Sequence, residues 1–378
     1  MENNNSQRWY AIDAFRGITI AFMILVNTPG SWSYVYAPLK HADWHGCTPT
    51  DLVFPCFLFI VGISIYYSFK KKNNQQAIYY KILKRTAIIF SIGLLLHGFP
   101  YFNKNLADLR IMGVLQRIAL VYCFSALLIQ WLKPRQLVIA ILIILIGYWL
   151  ILWGFGSNTP YYMTAPYSLT GNIVREFDLW LLGANHMWQI NGVPFDPEGI
   201  LSTLPAISTC LIGYLTAYMI NEKSLTKPQA CYYLLSSGIL LSLSGLLWNS
   251  YFPINKYLWT SSYVLFTTGI AQVILVLFII VVDIKAWLKP VRPLLIFGAN
   301  PLLSYILADL WVRVLLFVIQ IKDDQSQIVS DGYQAFYQIV FVPLAGNWNG
   351  SLLFACFHVL AVWAIMLVFY KKQIFFKA

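Results

Sequence analysis

Charged residues are scarce in this sequence. They make up 11% of its 378 residues, against roughly a quarter in a typical soluble domain. So few charges cannot cover the solvated surface of a chain this long, which excludes an ordinary soluble globular protein. The apolar residues stand in long runs, such as LVIAILIILIGYWLIL at 137–152, that do not alternate with period two. Such runs predict membrane-spanning helices, because lipid requires every backbone polar group to be paired within its own segment.

Several signatures of site chemistry are also missing. No set of His, Cys, Asp and Glu residues has the spacing of metal ligands, so we predict that the protein holds no metal. The six cysteines show no disulfide or zinc pattern and are interpreted as small packing residues. The sequence has no glycine-rich phosphate loop and no GxSxG nucleophile elbow, which argues against the common nucleotide-binding and serine-hydrolase designs.

Ten apolar stretches are each long enough to cross a bilayer. They predict an all-α integral membrane protein, a polytopic bundle that forms one transmembrane domain over residues 1–378. No signal-peptide cleavage pattern follows the polar start of the chain, so we expect the first stretch to remain as a helix. The predicted spans are 11–30, 51–69, 83–101, 112–132, 137–155, 200–220, 229–249, 258–282, 293–319 and 350–370.

The basic residues are distributed unevenly between the ends of these spans. Most of the 26 Lys and Arg residues fall at the chain termini and in alternate loops. Because positive charge is retained on the cytoplasmic side, this pattern predicts that both termini are cytoplasmic. The same pattern accounts for the net charge of +11, so we predict the lipid bilayer as a partner and no nucleic acid.

The loops predicted on the outer side differ from the cytoplasmic ones. The cytoplasmic loops are short and basic, whereas loops 30–50 and 156–199 are long and rich in Trp, Tyr, Asn, Gly and Pro. Aromatic residues at a membrane interface often serve only as anchors. In loop 156–199, however, aromatic residues such as Tyr161 and Tyr162 share the segment with carboxylates and His. That combination favours a platform for a sugar or another polar ring.

The connection between the first two spans contains the strongest candidate for chemistry. His41 lies between Asn27, near the outer end of the first span, and Asp51, at the start of the second. A histidine oriented by a carboxylate is the usual arrangement of a general base or an acyl acceptor. The alternative interpretation is structural: His41 is a solvated loop residue, and Asp51 caps the second helix with Pro55 in its first turn.

Polar residues inside the spans are weaker candidates. Ionisable side chains are costly in lipid and normally face the bundle interior. Arg117 places a cation inside the fourth span, and Asn300, just before Pro301, marks a break in the ninth span that would expose backbone groups to a cavity. The other such residues have structural interpretations as ion pairs or packed histidines: Asp13 with Arg16, Asp309 with Arg313, His97 and His358.

A series of short motifs runs along the chain in a specific order. The motifs are DAFRGI at 13–18, VN at 26–27, KHADW at 40–44, DLVFP at 51–55, GVLQRI at 113–118, DPEGIL at 196–201, PINKYLW at 253–259, VDIK at 282–285 and GANP at 298–301. Together they resemble the heparan-α-glucosaminide N-acetyltransferase family, over essentially the whole chain. Each motif alone is weak evidence, whereas their shared order is specific.

The resemblance implies a multi-pass acyltransferase. Members of this family move an acetyl group from cytosolic acetyl-CoA, a co-substrate, to the amine of a terminal glucosamine on the far side of the membrane. The essential histidine of the family falls on His41, and its flanking Asn and Asp fall on Asn27 and Asp51. We expect the large N-terminal lumenal domain and first helix of the lysosomal enzyme to be absent from this protein. The resemblance therefore implies a shorter, bacterial-type member in the cytoplasmic (inner) membrane, with a homodimer as an expected assembly.

The implied chemistry assigns a role to each candidate residue. Asp51 would fix the tautomer of His41, and Asn27 would donate to the developing oxyanion. Basic residues near the cytoplasmic side suit the phosphates of CoA, although positive-inside topology explains them equally well. Carboxylates and an aromatic suit an amino sugar. The predicted CoA-binding residues are Arg16, Lys84, Arg85, Arg117 and Asn300, and the predicted sugar-binding residues are Asp196, Glu198, Asn255, Lys256 and Trp259.

Two other functions compete with this hypothesis. One is an acyltransferase for a different outer acceptor, such as a cell-wall or lipid-linked glycan. The other is a sugar transporter that performs no chemistry. Transfer of a labelled acetyl group would separate the enzymes from the transporter, which would instead move unmodified sugar without acetyl-CoA.

Overall fold

A computed structural model describes residues 9–70, 75–101, 105–156, 166–322 and 328–376. Packing divides the chain into two compact units. The first unit comprises Met1–Lys40, Leu225–Ser237 and Ala271–Lys377, and the second comprises His41–Ser224 and Gly238–Ile270. Tyr161 and Tyr162, part of the predicted aromatic platform, lie outside the described ranges.

Helices account for most of the described residues. The α-helices are α1 (Tyr10–Asn27), α2 (Val53–Phe69), α3 (Gln75–Gly98), α4 (Val114–Trp131), α5 (Pro134–Gly156), α6 (Ile173–Leu182), α7 (Thr203–Glu222), α8 (Lys227–Trp248), α9 (Ser261–Phe278), α10 (Leu288–Ala299), α11 (Pro301–Arg313), α12 (Gly332–Phe336) and α13 (Val342–Lys371).

Shorter elements connect these helices. The 3₁₀ turns are Ala37–Leu39, Pro49–Leu52, Leu106–Asp108 and Ala184–His186, and the π-helical turns are Ile279–Ile284, Val314–Val318 and Tyr337–Phe341. Strands β1 (Gln189–Ile190) and β2 (Val193–Pro194) form one antiparallel hairpin, and β3 (Gln320–Lys322) and β4 (Ile328–Asp331) form another.

Nine helical segments within the described ranges are long and apolar enough to cross a membrane. This confirms the predicted class, an all-α polytopic membrane protein, and most predicted spans agree with the observed helices to within a few residues. The third predicted span, 83–101, does form a helix, α3, but it is not among the nine. The reason is that any stretch of α3 long enough to cross a bilayer contains Lys81, Lys84 and Arg85.

Two connections contain elements that were not predicted. Loop 156–199 contains the helix α6 and the first hairpin, since Asn172 accepts a hydrogen bond from the Arg175 backbone as an N-cap and Gly183 follows the last residue. Helix is also present from Gly332 onward, before the last predicted span, but Gly346, whose φ is 70°, interrupts it. The helix after this break begins within a few residues of the predicted start at 350. The polar residues around Gly346 resemble a loop in the sequence.

The break predicted in the ninth span is observed in the first unit. Helix α10 ends at Ala299 and α11 begins at Pro301, with Asn300 between them. In the same unit α1 packs against α10. The contact is close because Gly17 lies against the carbonyl of Leu294, and Gly298 lies against the carbonyl of Asp13. Both positions leave no room for a Cβ atom.

The second unit is built around the contact between α2 and α7. A Cβ atom at Gly62 of α2 would overlap the carbonyl oxygen of Cys210 in α7, and one at Gly213 would overlap the carbonyl oxygen of Phe59. Small residues are the usual means by which helix backbones approach closely in a membrane. This contact holds the start of α2, and therefore Asp51 just before it, in a fixed position.

The glycine contact predicts a sharp difference between two substitutions. Gly62→Ala should lower the melting temperature of the purified protein, because overpacking against a backbone atom costs about 1–3 kcal/mol. Gly147→Ala in α5 is the matched control, since a Cβ atom there meets nothing within 4 Å. The melting temperature of each variant is measured by heating it in detergent and monitoring the loss of folded protein by size-exclusion chromatography. Equal melting temperatures for the two variants would contradict the close packing of α2 against α7.

Candidate active site

A buried carboxylate next to an imidazole forms the centre of the second unit. Asp51 is 1% exposed, and its Oδ1 lies 2.6 Å from Nδ1 of His41. Its other oxygen, Oδ2, accepts hydrogen bonds from the backbone N–H groups of Ala42 (3.0 Å) and Thr48 (2.9 Å) and from the Thr48 hydroxyl. Asp51 does not cap α2 as the structural interpretation expected, since the residue before α2 is Leu52. It completes a capping box with Thr48 at the 3₁₀ turn Pro49–Leu52 through one oxygen, while the other oxygen holds His41.

This pairing selects one tautomer of His41. A carboxylate oxygen only accepts hydrogen bonds. Nδ1 of His41 therefore carries the proton and donates a hydrogen bond to Asp51. The opposite nitrogen, Nε2, then has a lone pair available for chemistry. The side chain of His41 is 30% exposed, whereas that of Asp51 is almost completely enclosed. The geometry is that of a histidine oriented by a buried carboxylate, with its reactive nitrogen turned away from the carboxylate.

Lys256 adds a cation to this pair. Its Nζ lies 3.0 Å from Nδ1 and 3.1 Å from Nε2 of His41, and 3.8 Å from Oδ1 of Asp51. The Lys256 side chain is only 12% exposed. Burial lowers the pKa of its ammonium from the usual value, against the opposite effect of Asp51 and Glu198. The sequence predicted Lys256 for sugar binding, whereas the structure places it against His41.

Asn255 holds the loop that presents Lys256. Its side-chain oxygen accepts a hydrogen bond from the Leu258 backbone at 2.9 Å, and its backbone N–H donates to the Thr260 hydroxyl. Its side-chain nitrogen, Nδ2, lies 3.3 Å from Nδ1 of His45. Asn255 is completely buried. These contacts favour a scaffolding role over the predicted contact with a sugar.

Trp259 and Arg117 pack on each other inside the second unit. The Trp259 side chain is 1% exposed, and the Arg117 guanidinium lies 5.1 Å from the centre of its ring. Arg117 is completely buried and donates to the Gly199 carbonyl at 3.0 Å and to the Ser202 hydroxyl. An enclosed indole offers no open face to a sugar, and an enclosed guanidinium offers none to phosphate. Their positions therefore favour internal roles over the predicted ligand contacts.

The two carboxylates predicted for the sugar amine share one arginine. Arg110 donates to Asp196 through Nε (2.9 Å) and Nη2 (2.7 Å), and to Glu198 through Nη2 (2.7 Å). Asp196 also accepts from the backbone of Trp188 and of Glu198, which fixes the end of the first hairpin. Asp196 is 1% exposed. Sequence reasoning missed Arg110, because its partners lie far along the chain and nothing in its local sequence distinguishes it from other loop arginines.

Asp178 is a second buried carboxylate that sequence reasoning missed. It is 1% exposed, and its Oδ1 accepts hydrogen bonds from the backbones of Ile200 (3.1 Å) and Leu201 (3.2 Å). Burial raises the pKa of Asp178 to about 7, although these hydrogen bonds and Arg117 act in the opposite direction. Asp178 thus links α6 to the segment that leads into α7. The local sequence did not distinguish Asp178, since the same ten-residue helix also carries Arg175 and Glu176.

The remaining predicted residues of the second unit lie on α3. Lys84 is exposed, with its ammonium 5.9 Å from the centre of the Tyr80 ring, and Arg85 stacks 4.7 Å from the ring of Tyr122 on α4. Their contact with CoA stays a prediction. No three His, Cys, Asp or Glu side chains in the described ranges are grouped to hold a metal ion.

Three predicted residues belong to the first unit. Asn27 is the exposed last residue of α1. Arg16 donates to Asp13 at 3.1 Å and to the Gly298 carbonyl at 3.3 Å, as the ion-pair interpretation anticipated. Asn300 donates to the carbonyl of Ile374 and accepts from the backbone of Phe376, both at 2.9 Å. The amide at the helix break thus holds the chain's own C-terminal segment, and the roles of these three residues toward a ligand stay predictions.

Fold and geometry together define a multi-pass membrane protein with a carboxylate-oriented histidine in its second unit. Comparison with known proteins agrees with the motifs. The model of the family "Heparan-alpha-glucosaminide N-acetyltransferase, catalytic" matches residues 8–234, which is more than half of the chain. The chain belongs to the heparan-alpha-glucosaminide N-acetyltransferase family.

Two curated relatives extend this match beyond the family model. The heparan-alpha-glucosaminide N-acetyltransferase of Mus musculus is 29% identical over 379 residues, and that of Homo sapiens is 30% identical over 371 residues. The alignments cover 85% and 84% of this chain, respectively, but only 56% and 55% of the relatives. The chain therefore spans a little over half the length of the relatives it matches.

The Asp178 carboxyl predicts a pH-dependent stability. Its pKa is raised to about 7 in the folded protein, against roughly 3.9 in an unfolded chain. Between these values the unfolded chain binds fewer protons than the folded one, so the contribution of Asp178 to stability should fall as pH rises from about 4 to about 7.

The variant Asp178→Asn tests this prediction, because it mimics the protonated carboxyl. Melting temperatures of the wild type and the variant should converge near pH 4, and the variant should melt higher near pH 8. Glu176→Gln on the same helix is the control, since Glu176 is partly exposed and pairs with Arg175. A difference in melting temperature between the wild type and Asp178→Asn that does not change with pH would contradict the raised pKa of Asp178.

Proposed function

We propose that this protein is a transmembrane N-acetyltransferase, which moves the acetyl group of acetyl-CoA to the amine of a glucosamine-type sugar. Family membership and the membrane-spanning helices support this proposal. The observation that carries it is the pairing of His41 with the buried carboxylate of Asp51 at 2.6 Å. This pairing leaves Nε2 of His41 as the nitrogen that accepts a proton or an acetyl group.

The reacting nitrogen has two ways to act. As a general base, Nε2 takes a proton from the amine while the amine attacks the thioester carbonyl. As an acetyl acceptor, Nε2 attacks the thioester itself and then passes the acetyl group to the amine. In both cases Asp51 stabilises the positive charge that develops on the imidazole. Rapid quenching with labelled acetyl-CoA before the sugar is added separates the two, because only the second leaves label on the protein.

The membrane divides the two substrates in this proposal. The acetyl thioester is small and apolar, whereas CoA carries phosphates that cannot enter an apolar bundle. The predicted positive-inside topology assigns the phosphates to the cytoplasmic side, with Arg16, Lys84 and Arg85 as candidate contacts. The amino sugar is then acetylated on the outer side of a bacterial cytoplasmic membrane. Oxyanion donation by Asn27 and assembly as a homodimer follow from the family resemblance.

The central prediction concerns the two residues of the pair. His41→Ala and Asp51→Asn should each lower kcat by about 10²–10⁴-fold, because general acid–base catalysis contributes on that order. Asp51→Asn acts by removing the charge that selects the His41 tautomer. The assay incubates the purified protein in detergent with labelled acetyl-CoA and glucosamine, and measures labelled N-acetylglucosamine.

The matched control is Asp43→Asn, which changes an exposed aspartate in the same loop. It should retain wild-type activity. Wild-type protein that transfers no acetyl group, or a His41→Ala variant as active as the wild type, would rule out this enzyme. Uptake of unmodified glucosamine into vesicles without acetyl-CoA would point to a transporter instead. Transfer to a lipid-linked or cell-wall glycan but not to glucosamine would redirect the choice of acceptor.

A further inference from the structure

Lys256 occupies the position where a proton can pass to and from His41. Nδ1 of His41 is already committed as a donor to Asp51, so the Lys256 ammonium, which only donates, can hydrogen-bond only to Nε2. Nζ lies 3.1 Å from Nε2, within hydrogen-bond distance, and 3.0 Å from Nδ1. The lysine therefore contacts the same nitrogen that the proposed reaction uses.

Charge balance limits how many protons this group holds. Asp51 supplies one negative charge, and Lys256 lies 3.8 Å from it. Glu198 also acts on Lys256, but it is paired with Arg110. A Lys256 ammonium beside a His41 imidazolium would therefore place two cations next to the one remaining carboxylate in a largely enclosed site, which is unfavourable. The favoured state therefore has one excess proton, held either by Lys256 or by His41. When one of the two gains a proton, the other is driven to release its own.

We propose that Lys256 is the proton donor to the sulfur of CoA as the thioester breaks, an inference that rests on the proposed function. In direct transfer, the amine nitrogen bonds to the acetyl carbon and gives its proton to Nε2 of His41. The carbon–sulfur bond then breaks, its electron pair goes to sulfur, and the sulfur receives a proton from Nζ of Lys256. His41 finally returns its proton to Lys256. The products are the amide and the thiol, and each protein group ends in its starting state.

The burial of Lys256 supports this role. The same burial lowers the pKa of the ammonium and so makes it a better acid than a solvated lysine. The lysine is also held in place, because its loop is tied down by Asn255 and by the hydrogen bond from the Gly46 backbone to the Ile254 carbonyl.

The test compares two acetyl donors that differ in their need for a proton donor. Lys256→Met should lower kcat/KM with acetyl-CoA by about 10²–10⁴-fold, the usual contribution of a general acid. With phenyl thioacetate, whose aryl thiolate leaves without a proton, the loss should be less than about tenfold. Lys133→Met, at an exposed lysine, is the control and should change neither value. Equal losses with both donors would overturn the proposal in favour of a structural role.

A second variant separates the proton from the charge. Lys256→Arg keeps a cation beside Asp51, but a guanidinium does not release its proton near neutral pH. We expect Lys256→Arg to be as impaired with acetyl-CoA as Lys256→Met, and wild-type activity in this variant would overturn the proposal. The comparison of Lys256→Arg with the wild type tests the proton-donor role even if Lys256→Met does not fold or phenyl thioacetate is not a substrate. Wild-type protein that transfers acetyl from neither donor would overturn the proposed function, and this inference with it.

Discussion

A single buried carboxylate organises the second unit. Both oxygens of Asp51 are used: Oδ2 accepts from Thr48 and Ala42, while Oδ1 faces His41 and Lys256. A charge so deeply enclosed is tolerated only when it is paired and fully hydrogen-bonded. The start of α2, the loop before it and the loop that carries Lys256 are therefore held together by the same group that orients the imidazole. Asp51 therefore serves both the local fold and the proposed chemistry.

The membrane made most of the fold predictable. Lipid demands long apolar helices with internally paired backbones, and α2, α4, α7 and α8 were predicted close to their observed bounds for that reason. The break at Asn300 was predicted from the adjacent proline, which cannot continue a helix. The helix α6 was missed because a short helix inside a polar connection lacks the continuous apolar run on which the prediction relied. The helical residues before the break at Gly346 were missed because polar residues interrupt the apolar pattern there.

The candidate site was predictable only where its members lie close in sequence. His41 and Asp51 are ten residues apart, and both fall in motifs of the family. Lys256 meets His41 across 215 residues, and Arg110 meets Asp196 across 86. Contacts of that length depend on how the helices pack, which residue types and spacing do not specify. The same limit explains why Trp259 and Arg117 were expected at a ligand, whereas both are buried and pack against each other.

The hold of Asn300 on the C-terminal segment has an evolutionary consequence. Within the described part of the chain, both hydrogen bonds of its amide are to main-chain atoms, the carbonyl of Ile374 and the N–H of Phe376. Recognition of this kind does not depend on which side chains the segment carries, so its residues are free to diverge among homologues while the contact persists. Proline at 376 is the exception, because it lacks the N–H. Asn300, by contrast, must keep both a donor and an acceptor, and divergence there should be slow.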